Sequence, residues 1–321
     1  MSMLEVSGLH VWFEPPHAAE VHAVQGVSFA LDPGERFGLV GESGCGKTTT
    51  ILALMGLLPP NASAAGEVLI NGQNILAGGE DSVQAYRWKD VAMVFQGAMN
   101  ALNPVKKVGW QIAEPMAFHG IAQGTAARKR AGELLELVGI PAAAGERYPH
   151  EFSGGMRQRA AIAMALACEP KILLADEPTT ALDVMVQAQI LELLMGLSRN
   201  LGLALVLVTH DLPVVAQVCE RAAVMYAGEI VEAGPTEMLY HAPRHPYTRL
   251  LFAATPDLYA QDAVISIPGA PPRLDGELAG CPFRTRCDVP LERCAGEHPE
   301  LRLVGPGHQA ACHRNDLVGA S

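Results

Sequence analysis

An eight-residue run, Gly41-Glu42-Ser43-Gly44-Cys45-Gly46-Lys47-Thr48, joins an apolar strand pattern over Arg36–Val40 to a helical pattern over residues 48–58. It fits G-x-x-x-x-G-K-[ST] in the strand–loop–helix setting that the motif requires. The glycines let backbone N–H groups converge on phosphate oxygens, and the helix that follows adds its positive end. Lys47 is then placed to reach the outer phosphates, and the Thr48 hydroxyl to bind Mg²⁺. A glycine-rich turn with a chance lysine would look alike in isolation, but not between a β-type run and a proline-free helical one. Cys45 fills a variable position and reads as a small packed side chain rather than a reactive thiol.

The rest of the chain predicts an α/β core with a parallel sheet around this loop. Further β-type runs lie at residues 27–31, 67–70, 91–95, 172–175 and 203–208, and helical patterns at 126–138, 155–168 and 184–197. The stretch 97–167 is mostly helical and interrupts the alternation, which predicts a separate helical lobe. Two β-type runs flank Ala227-Gly228 and predict a hairpin over about 222–234. After Tyr240 the texture turns proline-rich, so we expect a boundary there, with residues 1–240 and 241–321 as two domains.

Composition narrows the function. The 321 residues carry 23 Lys and Arg against 34 Asp and Glu, a net charge of −11 that argues against a nucleic-acid binder. No run of 18 apolar residues could span a bilayer, and no basic, apolar leader opens the chain, so a cytosolic protein is expected. Seven cysteines, an odd total in a reducing compartment, do not suggest a disulfide framework.

Three more motifs carry chemistry. Residues 171–178 form an apolar strand ending in Asp176-Glu177-Pro178; Asp176 is placed to hold Mg²⁺ and Glu177 to polarise an attacking water. Taken alone, such a pair could instead cap the next helix. His210 ends another apolar strand and could contact a terminal phosphate, although a lone strand-end histidine is more often structural. Ser153-Gly154-Gly155 opens a helix and makes a second anion-accepting N-terminus, where the plain alternative is an ordinary serine cap.

Taken in order, residues 41–48, Gln96, Ser153-Gly154-Gly155, Asp176-Glu177, Ala181-Leu182-Asp183 and His210 resemble the Walker A, Q-loop, signature, Walker B, D-loop and H-loop of the ATP-binding-cassette (ABC) ATPases. The resemblance covers roughly residues 4–240. It implies an α/β P-loop NTPase of ABC type with a RecA-like core, an antiparallel β subdomain, a helical subdomain at about 97–167 and a small C-terminal Cys-rich extension. It also implies ATP and Mg²⁺ as ligands. Gly41, Ser43, Gly44, Cys45, Gly46, Lys47, Thr48 and Thr49 would hold the nucleotide, with Thr48, Gln96 and Asp176 on the metal. Glu177, His210 and Gln96 would be catalytic. An aromatic ring would stack on adenine, with Phe13 the candidate and Trp12 the runner-up. Cassettes of this family stack head to tail, so Ser153, Gly154, Gly155, Gln158 and Asp183 would serve a partner's ATP.

Within the family, Asn103-Pro104, residues 164–170 and 175–183, His245-Pro246-Tyr247-Thr248-Arg249-Leu250-Leu251 and Ile267-Pro268-Gly269-Ala270-Pro271-Pro272 look like the oligopeptide/dipeptide permease branch. Nickel and glutathione importers share most of these features, and a soluble, non-transport ABC ATPase is the remaining alternative. The resemblance implies a peripheral place on the cytoplasmic face of the membrane. The implied partners are a second, paralogous ATPase, two transmembrane permease subunits docking on the helical lobe and, indirectly, an extracytoplasmic peptide-binding protein. Cys281, Cys287, Cys294 and Cys312 are spaced C-x₅-C-x₆-C-x₁₇-C and could supply a tetrahedral metal site. Their likeness to the cysteine cluster ending some dipeptide-permease ATPases implies a [4Fe–4S] centre, with Zn²⁺ as the alternative. Cys168 and Cys219 lie in helical patterns and read as core residues.

Overall fold

The structure is a computed structural model that describes residues 2–97, 101–254, 267–276 and 278–316. Residues 98–100 of the expected helical stretch, and 255–266, 277 and 317–321 of the expected C-terminal module, lie outside the described residues. By its internal contacts the chain divides into two units. The first comprises residues 1–31, 36–79 and 207–321, and the second residues 32–35 and 80–206.

The first unit opens with β1 (Leu4–Phe13) and β2 (Val21–Leu31), which pair antiparallel. β1 buries Leu4 and Val6, then Leu9 and Val11, so its inward face changes phase at Gly8, where φ is 57°. That register shift is a bulge of the kind glycine permits. β3 (Arg36–Val40) leads into α1 (Lys47–Leu54), which packs on β1 and β2. β4 (Ala62–Ile70) and the two-residue β5 (Gln73–Asn74) complete a four-stranded antiparallel sheet of order β2-β1-β4-β5.

The second unit begins at α2 (Gly79–Tyr86) and β6 (Val91–Val94). α3 (Val108–Phe118), α4 (Gly124–Leu137) and α5 (Gly154–Ala165) pack on one another and form the expected helical cluster. β7 (Ile172–Asp176) runs parallel to β6 and is buried at every residue, as a strand covered on both faces must be. α6 (Val184–Leu201) follows, capped by the Asp183 side chain and stopped by Gly202 in the left-handed region. β8 (Ala204–Thr209) starts in this unit and ends in the first.

Back in the first unit come α7 (Leu212–Val218), β9 (Arg221–Tyr226) and β10 (Glu229–Pro235), with β9 parallel to β3. β9 and β10 form the predicted hairpin, turning through Ala227 and Gly228, both at positive φ. α8 (Thr236–His241) and α9 (Pro246–Ala253) follow, and β11 (Arg302–Gly305) and β12 (His308–Ala310) form a second hairpin. β12 pairs with β10, so the C-terminal segment covers the strand edge that β10 would otherwise leave open. The segment is further pinned by Tyr247 and Phe283, whose rings lie 4.7 and 5.2 Å from that of Tyr226. Cys168 and Cys219 are buried as expected, but each sits just past a helix rather than inside it.

His245 anchors the same segment. Its Nδ1 accepts the Tyr247 N–H at 3.0 Å, and its own N–H donates to Glu232, whose carboxylate also takes the Arg244 N–H and His308 Nε2. Full burial lowers the His245 pKa to about 4, with Glu232 opposing the shift. Between that value and 6.5 the unfolded chain binds a proton that the folded chain refuses, so stability falls as pH drops through this window. The urea midpoint is expected to decline between pH 7 and pH 4.5, and His245→Gln to flatten that decline.

Candidate nucleotide site

In the first unit the glycine loop folds back on its own lysine. Lys47 is only 5% exposed, and its Nζ donates to the carbonyls of Gly41 and Glu42 at 2.8 and 2.9 Å. The loop thus already curls around an ammonium group. Two glycines are obligatory here. A Cβ on Gly41 would lie 2.2 Å from the Met225 carbonyl oxygen, and one on Gly46, at φ 106°, would lie 2.6 Å from that of Ala23. Gly46 is the N-cap of α1 and brings no side-chain acceptor, so the first-turn N–H groups face the loop. Ser43, Gly44 and Thr48 are exposed, Thr49 is half-buried, and Cys45 is buried with its thiol pushed up by desolvation, which matches a packing role. This cradle, with its buried cation and uncapped helix start, suits a polyphosphate.

Trp12 stacks on His22 at 4.7 Å and on His10 at 5.4 Å, so its ring is committed to the β1–β2 surface. Phe13, half-buried, stands outside that stack. His210 is exposed at the end of β8, and the next residue, Asp211, caps α7.

In the second unit Asp176 ends β7 and is 1% exposed. Glu177 follows at φ 43°, a conformation that non-glycine residues rarely take. One of its oxygens accepts from Gln96 Nε2 at 2.9 Å and from the Thr180 hydroxyl at 2.9 Å. The predicted Q-loop glutamine and the predicted base therefore meet, and Thr180 is a partner that the sequence did not single out. The helix-capping alternative for Asp176-Glu177 fails, because Asp183 caps α6 with its carboxylate 3.0 Å from the Val186 N.

Ser153 caps α5 and is exposed. A Cβ on Gly155 would come within 2.7 Å of Val186 Cγ1, so the start of α5 lies against the first turn of α6. Val184 and Met185, in that same turn, are 77% and 71% exposed. Gln158 is buried, and its Nε2 has no hydrogen-bond partner.

Residues 24–180 match the family described as ABC transporter, and residues 231–294 match the C-terminal region of oligopeptide/dipeptide transporters. Over 98% of its length the chain is 45% identical to a probable peptide ABC transporter ATP-binding protein of Sinorhizobium fredii, covering 96% of that protein. The chain belongs to the ABC transporter family. It is also 44% identical to the dipeptide transport ATP-binding protein DppD of Escherichia coli, over 98% of this chain and 97% of that one. Among solved structures, this ABC cassette resembles the dimeric ATP-binding cassette MJ0796 in a post-hydrolysis state bound to ADP and Pi. The TM-score is 0.65 at 30% identity, over 73% of this chain and 99% of that one.

The metal centre expected at Cys281, Cys287, Cys294 and Cys312 is not formed by this ABC chain's described residues. Among them no group of three or more His, Cys, Asp or Glu side chains is arranged to hold a metal ion. The four thiols are free. Burial pushes the Cys281 thiol up to about 11 and also raises Cys287 and Cys312, and mutual repulsion among the sulfurs adds to each shift. Ligation needs thiolates beside a cation, and these surroundings keep the sulfurs protonated. Likewise, among the described residues no helix is long and apolar enough to cross a membrane.

Proposed function

We propose that this chain is the ATP-hydrolysing subunit of a dipeptide or oligopeptide importer, held at the cytoplasmic face of the cell membrane. The observation that carries this reading is the near-full-length identity to peptide-transport ATP-binding proteins, which includes the C-terminal region. Residues 1–240 form the nucleotide-binding domain and 241–321 the transporter-specific extension. Gly41, Ser43, Gly44, Cys45, Gly46, Lys47, Thr48 and Thr49 bind the nucleotide, and Phe13 stacks on adenine. Thr48, Gln96 and Asp176 hold Mg²⁺, which when bound screens the charge of the outer phosphates. Glu177 accepts the proton of the attacking water, oriented by Gln96 and Thr180, and His210 contacts the terminal phosphate.

A second cassette, stacked head to tail, receives Ser153, Gly154, Gly155, Gln158 and Asp183 at its own ATP. The exposed Val184 and Met185 beside them support that seam. Two permease subunits dock on the helical unit. A cavity of about 330 Å³ between α2 and α3, lined by Trp88, Pro115 and the 70% exposed Phe118, suits an apolar helix from such a subunit. ATP closes the dimer and hydrolysis opens it, which drives the permease between two states. An extracytoplasmic peptide-binding protein delivers the cargo, and nucleic acid has no part.

The spacing of the four C-terminal cysteines and their mutual repulsion support a [4Fe–4S] cluster there, ahead of Zn²⁺; their described arrangement speaks against both. Anaerobic purification decides: a brown, iron-bearing protein supports the cluster, and a colourless one removes it. The transport reading is tested by purifying tagged chain in mild detergent. Two multispanning membrane proteins and a second ATPase are expected to come with it. Recovery of a nickel- or glutathione-uptake system would move the substrate, and recovery of repair or translation factors would overturn the importer.

A further inference from the structure

The C-terminal segment reaches the phosphate loop through one side chain. Arg286 ends a 3₁₀ turn, Arg284–Arg286, that starts from the Cys281 carbonyl and runs directly into Cys287. Its side chain is nearly sealed from solvent, at 5% exposure. The guanidinium grips the Glu42 carboxylate with both terminal nitrogens, Nη1 to Oε2 at 2.7 Å and Nη2 to Oε1 at 2.9 Å. Its Nε donates to the Pro268 carbonyl at 2.9 Å, and it lies over the Tyr226 and Phe283 rings at 5.7 and 6.0 Å. Glu42 is held from the other side as well, because its N–H donates to the Tyr247 hydroxyl at 2.9 Å. Its carbonyl is one of the two that receive Lys47 Nζ.

Glu42 is an awkward residue for this loop. A carboxylate one position after Gly41 stands among groups that must accept several negative charges. Unpaired and partly buried, it would repel a polyphosphate and have reason to swing toward water, dragging the loop backbone with it. A bidentate guanidinium cancels the charge and fixes the carboxylate in one plane, which a lysine would do less well.

We propose that Arg286 is a positioning residue for the phosphate loop: it neutralises and immobilises Glu42, so that the C-terminal cysteine segment sets the affinity of residues 41–48 for ATP. This rests on the reading of those residues as the ATP site. The mechanism makes a prediction of opposite signs. Arg286→Met leaves the carboxylate uncompensated and should weaken binding of trinitrophenyl-ATP to the full chain by about tenfold. KM for ATP should rise in step, while kcat changes less. Glu42→Gln keeps an acceptor for Arg286 but removes the negative charge, so it should bind the probe as tightly as the wild type or up to about fivefold tighter. Glu42→Gln added to Arg286→Met should recover most of the loss, and Arg286→Lys should fall between Met and wild type.

A pair that merely props up the fold would lower the unfolding midpoint in both single variants and weaken the probe in neither, or in both alike; either pattern overturns the proposal. Should Arg286→Met fail to fold, the sign of the Glu42→Gln effect still decides, and weaker binding there refutes the mechanism. Wild-type chain that does not bind the probe would sink the ATP-site reading itself. Normal wild-type binding with an unaffected Arg286→Met variant would sink this inference alone.

Discussion

Glu177→Gln is expected to leave ATP binding intact while cutting turnover by about 10²–10⁴. The amide is nearly isosteric with the carboxylate, so the Gln96 and Thr180 hydrogen bonds to Oε2 have a counterpart in the carbonyl oxygen of the new side chain. What disappears is the capacity to take a proton from water. Glu177 sits at φ 43°, a position whose strain costs on the order of 1–3 kcal/mol, and it is held there in part by those two hydrogen bonds. A residue kept in such a conformation at the end of a fully buried strand has its carboxylate aimed by the backbone. Binding and turnover therefore separate cleanly at this site. Trinitrophenyl-ATP titration, single-turnover hydrolysis and size-exclusion chromatography with ATP are the measurements, and an ATP-stabilised dimer is the expected species. Unchanged turnover would take Glu177 out of the base role, and lost nucleotide affinity would move it to binding.

Ser153→Arg is expected to reduce turnover by about 10²–10³ while a chain's own affinity for ATP shifts by no more than about threefold. Ser153 caps α5 by accepting the Met156 N–H at 3.3 Å, and its surroundings are open. Removing the cap costs about 1 kcal/mol of stability, too little to unfold the unit. The long cationic side chain would instead stand where a facing cassette must approach, next to the exposed Val184 and Met185. The separation of effects is what matters here: the glycine loop is expected to bind nucleotide by itself, whereas hydrolysis needs the α5 start of a second chain. Full-speed hydrolysis by monomeric Ser153→Arg protein would refute the shared-site arrangement.

How far the residues alone revealed this protein depends on the range of each interaction. Gly41, Gly46 and Lys47 act within a few residues of one another, so their spacing in sequence was already their geometry in space. The Ser153 cap and the Ala227-Gly228 turn were legible for the same reason. β1 was not read as a strand, because the bulge at Gly8 resets its inward face from Leu4 and Val6 to Leu9 and Val11 and so breaks the alternation. β11 and β12 are only four and three residues long, and they form by completing a hairpin against β10 rather than by any strong pattern of their own. The cysteine spacing suggested a metal site, yet thiols that can bind one ion must also converge, and spacing says nothing of convergence.

The linear order of residues determined the phosphate loop, the acids at the end of β7 and the second glycine motif, because each is a short-range device that carries its neighbours with it. Only the tertiary structure decided that Gln96 and Thr180 converge on Glu177, that Trp12 belongs to a histidine stack, and that Arg286 closes on Glu42. Glu42 and Arg286 are 244 positions apart. Nothing local marks either as the other's partner. A buried charge must find its complement wherever the folded backbone brings one, and that choice is made by the packing of β9, α9 and the cysteine segment around the loop.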